Sequence, residues 1–391
     1  MESQCTSINK KMDKGIKIDY KVVKTASDLE QIANLFSNKK IIGVDVEADS
    51  LHHFKEKVCL IQISSTTQSV LIDPLPLQDL SPLKPVFANS AIKKVFHGAD
   101  YDIRSLHRDF GIEINNLFDT QLACMFLGIR ATGLDAVIQA NFDVSLDKKY
   151  QKKDWSVRPL SLEMMDYAAL DSVYLPELSY MIEKKLEETG RLSWVCEECE
   201  YLSKVRFDSN NGEPLYLKFK GAGRLNPESL VVLEALLELR KNIAQKKDRP
   251  LFKIFSNQSI MKITLEKPCT LRQLQTNRFL SKKQIQMYGK TIINTVTSAM
   301  EIPAAERPGY PKKKVPFQDP EVPQKIKALK DWRDNVAEKL GIDPGVLISN
   351  AVIHAIIIEN PATMTDLEKI ECLKNWRRKE FGEEILAVLH V

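Results

Sequence analysis

Over roughly the first half of the chain, short aliphatic and β-branched runs alternate with amphipathic stretches. Residues 40–46 (KIIGVDV) and 58–63 (VCLIQI) have the near-continuous apolar character of buried strands. Residues 69–72 return after a Ser-Thr-Thr-Gln turn and predict a hairpin, and residues 92–96 predict a further short strand. Helical spacing is present at 100–110, 121–127 and 134–141. A longer helical pattern runs over 161–186, with Ser161 just after Pro159 as its N-cap. A polar, lysine-rich connection, 145–159, precedes it. Strands alternating with helices predict a mixed α/β sheet covered by helices.

Beyond about residue 225 the strand signals stop, and the chain begins to match itself. An offset of 93 pairs Arg240 with Arg333, Ala244 with Ala337, Asn257 with Asn350, and Ile260 with Ile353. The same offset pairs Pro268 with Pro361, Thr270 with Thr363, Leu274 with Leu367, and Gly289 with Gly382. Matches that keep their order without a net gap predict two copies of one small helical module. Between the copies, residues 301–323 hold six prolines and no apolar period, as a semi-extended linker does. These patterns divide the chain into 1–19, a disordered lead-in; 20–205, the α/β domain; 206–224, a connector; 225–300, the first helical module; 301–323, the linker; and 324–391, the second module.

Composition adds little to the class but something to the partner. The 391 residues suit two or three domains, and no apolar run reaches the roughly 18–20 residues of a membrane span. The N-terminus lacks the apolar stretch of a secretory signal, and seven scattered cysteines make no disulfide framework, which together predict a cytoplasmic protein with no membrane partner. Charge is distributed unevenly. Residues 1–200 carry 24 Lys+Arg against 30 Asp+Glu, whereas 218–314 carry 20 against 7, a net of +13. An acidic half followed by a basic stretch fits a metal-binding catalytic domain joined to a polyanion-binding one, although lysine-rich helices can also be merely well solvated.

Three acidic signals stand out. Asp45 and Glu47, in GVDVE, end a strand predicted to be buried and point to one side of it. Burying two carboxylates side by side is costly without a cation, although a strand end turning into solvent would look the same. Asp102 follows the 92–96 strand and precedes an apolar helical face, while nearby Asp100 reads as an N-cap. Tyr167 and Asp171, in DYAALD, share a helix face at i,i+4 spacing, a pattern common in ordinary surface pairs.

Taken together, Asp-x-Glu on a strand, Asp at a helix start and Tyr-x-x-x-Asp on a later helix resemble the DEDDy exonucleases. CLIQIS at 59–64, KVFHGADYDIRSLHRDFGI at 94–112, NLFDTQLA at 116–123 and KKYQKKDWSVRPLS at 148–161 narrow the resemblance to ribonuclease D and its nuclear-exosome relatives. It covers about residues 20–200, and the repeated module resembles the HRDC domain, of which bacterial ribonuclease D carries two. The resemblance implies a ribonuclease H-like mixed sheet with flanking helices, followed by two small all-α bundles. It also implies 3′–5′ hydrolysis of RNA to nucleoside 5′-monophosphates with two divalent ions, Mg²⁺ or Mn²⁺, which prefer carboxylate oxygens. By resemblance Asp45 bridges both ions, Glu47 and Asp171 complete one site, Asp102 supports the other through water, and Tyr167 orients the attacking water. The implied substrate is RNA with a free 3′ end, transfer RNA precursors among others, with no obligatory protein partner.

Further candidates are weaker. Lys149, Lys152, Trp155 and Arg158 are expected along the RNA path, as are Lys246, Lys247 and Arg249 in the basic module, against the alternative of solvated loops. Cys196 and Cys199 have a zinc-like spacing but no second Cys/His pair at a suitable distance, so no zinc site is expected. His52, His53 and His97 show no partner pattern, and Trp332 and Trp376 are expected in the core of the second module. Two other readings stand beside the exoribonuclease: a DNA 3′–5′ exonuclease, and a non-catalytic RNA-binding scaffold on a dead nuclease fold. The first would more often accompany a helicase or polymerase, and the second would have lost a carboxylate.

Overall fold

The computed structural model describes residues 18–77, 79–207, 212–276, 278–311 and 321–390. The expected disordered lead-in falls almost wholly outside them. Six strands, β1 (Tyr20–Val23), β2 (Ile41–Ala48), β3 (Val58–Ser64), β4 (Ser69–Ile72), β5 (Lys93–Phe96) and β6 (Leu117–Asp119), form one mixed sheet. Its order is β1-β4-β3-β2-β5-β6. β2 and β3 are antiparallel, as are β3 and β4, while β2–β5, β5–β6 and β1–β4 run parallel. β3 is buried on both faces, because helices cover the sheet on each side, and its sequence is accordingly apolar almost throughout.

The expected 161–186 helix is two helices, Leu162–Val173 and Leu175–Glu188. Pro176 explains the break: it has no N–H to offer the carbonyl four residues back, that of Ser172. That carbonyl instead faces β2, where a Cβ on Gly43 would stand 2.5 Å from it. Glycine at 43 therefore lets the helix pair lie directly on the strand. The Ser64 hydroxyl, opposite Gly43 in the sheet, bonds the Ser172 hydroxyl at 2.7 Å and fixes the contact.

From residue 212 on, the described residues contain helices only. The internal repeat is a repeat of structure. Arg240 donates to the Phe255 carbonyl and to Asn257, and Arg333 donates to the Ile348 carbonyl and to Asn350, each partner displaced by 93. Gly289 admits Leu271 to the helix surface as Gly382 admits Met364 and Leu367. The early part of the expected linker is not free: Arg307 pairs with Glu228 of the first module, and the Tyr310 hydroxyl donates to the Leu217 carbonyl in the connector before it.

The second module shares one apolar core with the α/β domain. Trp194 stacks on Trp376 with centroids 4.6 Å apart and planes 15° from parallel. Glu197 accepts from the backbone N–H groups of Asn375 and Trp376, capping the Asn375–Leu389 helix from another domain. Glu198 accepts from Trp376 Nε1 and pairs with Arg377 and Lys374. The two residues inside the Cys-x-x-Cys spacing thus hold the last module in place.

Candidate active site

Asp45 and Glu47 project from one face of β2, beside the bulge between Glu47 and Ala48. Asp171 comes from the helix that Gly43 seats on this strand, and carboxylate oxygens of Asp45, Glu47 and Asp171 lie within 4.8 Å of one another. Asp102 is buried in the first turn of the Asp100–Phe110 helix. Asp100 is not the cap of that helix, contrary to expectation; it pairs with Arg104 one turn on. Asp119 at the end of β6 caps instead, accepting from the N–H groups of Gly98 and Ala99 while also capping its own helix through Gln121 and Leu122. One carboxylate thereby fixes two helix starts, one of which carries Asp102. The sequence marked it only as part of NLFDTQLA.

The electrostatics tie the four acids together. Burial pushes the Asp45 carboxyl up to about 7. Glu47, Asp102 and Asp171 are held well above the usual carboxylate range by burial and, in each case, by the charge of Asp45. Asp45 is therefore the electrostatic neighbour common to the other three. Among the described residues, no lysine, arginine or histidine stands among the causes that lower any of them. Four crowded carboxylates without a cationic side chain are a donor set suited to hard divalent ions.

Asp45, Glu47 and Asp171 line a cleft of about 440 Å³ with His97, Gln121, Asp135, Asp147, Lys148, Gln151 and Tyr167. Asp102 is buried and is not part of the lining. His97 is a strut: Nδ1 meets the Thr120 hydroxyl at 2.9 Å and Nε2 the Thr132 carbonyl at 2.7 Å. Lys148 is the one lysine or arginine among the described residues lining the cleft, and it pairs with Asp135 at 2.8 Å. The Tyr167 ring packs between Tyr150 and Trp155, centroids 5.7 and 6.1 Å away, with its phenol toward Asp171. Burial, with the charges of Asp171, Glu47 and Asp45, keeps that phenol protonated.

Two expected RNA contacts are not available. Trp155 is wholly buried behind Tyr167, so it offers no face to a base. Arg158 is spent on a bidentate pair with Asp73 at 2.7 and 2.8 Å and on the carbonyls of Trp155 and Cys59. Both brace the 145–159 connection against the sheet. Lys149, Lys152, Lys246, Lys247 and Arg249 are exposed, with Lys247 lying over the Tyr288 ring.

A mixed sheet with carboxylates converging from a strand and two helices defines a 3′–5′ exonuclease domain, and residues 20–187 match the family described as 3′-5′ exonuclease. Residues 229–296 and 324–389 each match the HRDC domain. Ribonuclease D of Bartonella henselae is 29% identical over 94% of this chain and 90% of its own length. That of Haemophilus influenzae is 27% identical over 95% and 92%. The RRP6 catalytic core of Trypanosoma brucei is 30% identical over 72% of this chain and 81% of that one, with a TM-score of 0.60. Escherichia coli RNase D, at 24% identity, shares the fold over 95% of this chain and 99% of its own, with a TM-score of 0.73. The chain belongs to the ribonuclease D family of 3′–5′ exonucleases.

Proposed function

We propose that the protein is a metal-dependent exoribonuclease that removes nucleoside 5′-monophosphates from RNA 3′ ends, in the maturation of transfer RNA precursors or similar structured RNAs. The observation that carries this reading is the convergence of carboxylate oxygens of Asp45, Glu47 and Asp171 within 4.8 Å, none of the three paired with a lysine or arginine among the described residues. Asp45, Glu47, Asp102 and Asp171 would hold two divalent ions, Mg²⁺ or Mn²⁺. Bound there, the ions supply Lewis acidity for deprotonating water and for stabilising the departing 3′-oxygen. Tyr167, pinned by Tyr150 and Trp155, orients the attacking water through its protonated hydroxyl. Lys148 sits where it can exchange Asp135 for a backbone phosphate of the substrate. His97 and Asp119 keep the walls in place without touching the reacting atoms.

A cytoplasmic setting fits this role, and no helix among the described residues is long and apolar enough to cross a membrane. The RNA preference follows the ribonuclease D relatives; Escherichia coli RNase D is described as an exoribonuclease involved in structured RNA processing. The test is a time course on matched 5′-labelled RNA and DNA single strands with Mg²⁺ or Mn²⁺. A ladder shortening from the RNA 3′ end, with mononucleotides released and DNA spared, is expected. Equal or faster loss of DNA would reassign the substrate, and no loss of either would leave a binding scaffold.

A further inference from the structure

A short segment of the first helical module bonds the catalytic domain directly. After the Pro227–Lys247 helix the chain reads Asp248-Arg249-Pro250-Leu251-Phe252-Lys253. The Asp248 carboxylate meets His53 Nδ1 at 2.7 Å and accepts from the Phe54 N–H at 3.1 Å. The far side of His53 bonds the Ser156 hydroxyl at 3.0 Å, and adjacent His52 bonds the Lys152 carbonyl at 3.0 Å. Lys152 follows Gln151, which lines the catalytic cleft with Lys148. A continuous series of bonded residues therefore leads from the cleft rim to this segment, and it occupies the one acid there, Asp248.

What remains around Asp248 is basic and aromatic. Lys246, Arg249 and Lys253 are exposed and have no acidic partner among the described residues. Phe252 is 56% exposed and Leu251 39%, while the next two residues, Ile254 and Phe255, are buried. The internal repeat shows that the module does not need these exposed side chains. At the same offset of 93, the second copy builds the same short helix, Pro344–Leu347, with Gly345 in place of Phe252 and Ile342 in place of Arg249. A large exposed ring that the fold can dispense with, set among unpaired cations, has the composition of a surface for single-stranded nucleic acid. Bases stack on the ring, and the cations neutralise phosphates.

We propose that Phe252, with Lys246, Arg249 and Lys253, forms an upstream subsite that holds single-stranded RNA several nucleotides before the scissile phosphate. The subsite rests on the exoribonuclease reading of the cleft, since it gives the tail its destination. The test is fluorescence anisotropy of the full chain with oligouridylates of four and twelve nucleotides, Ca²⁺ replacing the catalytic ion. Phe252→Ala should weaken binding of the longer strand by about tenfold, Phe252→Trp should retain it, and the advantage of the longer strand should shrink in the Ala variant. Replacing the three cations with Ala should flatten the log–log salt dependence for the longer strand by about 2.

Undiminished binding of the longer strand by Phe252→Ala, or equal losses on both strands, overturns the subsite. Light scattering that shows a dimer dissolved by Phe252→Ala would assign the patch to a second copy and overturn it as well. The two levels separate cleanly. A wild-type protein that degrades RNA yet binds both lengths alike refutes only the subsite, whereas one that degrades no RNA refutes the catalytic reading beneath it.

Discussion

Replacing Asp45 with Asn should stabilise the metal-free protein while abolishing hydrolysis. The carboxyl stands at about 7 against an ordinary value of 3.8, a rise of about 3 units and, at about 1.4 kcal/mol per unit, an upper bound of about 4 kcal/mol. Asp45 is partly open to cleft water, so about 1–3 kcal/mol is the expected gain. The folded state holds its proton up to about pH 7 whereas the unfolded chain releases it near 3.8. Wild-type stability should therefore fall as pH rises between those values and level off above. Asn at 45 removes the charge that also raises Glu47, Asp102 and Asp171, so the gain is greatest near pH 8 and vanishes near pH 4. Thermal unfolding in EDTA across this range measures it. Adding Mg²⁺ or Mn²⁺ at pH 8 should then raise the wild-type Tm and leave that of the variant nearly unmoved. A less stable Asn variant at pH 8, or a wild type indifferent to both pH and metal, would refute the account of the four acids.

Tyr167→Phe keeps the ring between Tyr150 and Trp155 and should cost roughly 10²-fold in kcat with KM little changed; full turnover would place the orientation of water elsewhere. Gly43→Ala puts a methyl group against the Ser172 carbonyl and should cost about 1–3 kcal/mol, with the metal-induced rise in Tm reduced because Asp171 is displaced. Glu198→Ala strands a buried Arg377 and should weaken docking of the second module by about 3–5 kcal/mol, read from the fluorescence of the Trp194–Trp376 stack. Burial alone would raise the Glu198 carboxyl, but Arg377, Lys374 and Trp376 hold it below its ordinary 4.5, so docking should be intact above that value and loosen as pH falls below it.

What could be read from the sequence was whatever is encoded locally or repeated. The Asp-x-Glu pair lies on a strand whose apolar run announces it, Tyr167 and Asp171 lie one turn apart, and the duplicated module declares itself by an offset. β6, three residues long, is too short for a period to register. The cap supplied by Asp119 acts across twenty residues, and nothing at Gly98 or Ala99 hints at it. Trp155 and Arg158 misled for a related reason. An aromatic and a cation in a lysine-rich loop suit a nucleic-acid surface, and only the chain folding back onto Tyr167 and Asp73 shows that they face inward. Pro176 stands at a helix break that the continuous 161–186 pattern did not show, and its consequence, a carbonyl freed to face Gly43, needs the strand in place.

The shared core between the last module and the first domain makes the chain a closed circuit, because those two units are also joined through everything between them. The module behaves as a ligand delivered on a leash, present at a local concentration on the order of millimolar whatever the dilution of the protein. Each release from Trp194 is an intramolecular event, and a diffusing competitor has to match that local concentration to take the seat. Removing the module would not simply shorten the protein; it would leave the aromatic seat at Trp194 and Phe126 open to water or to a neighbouring chain.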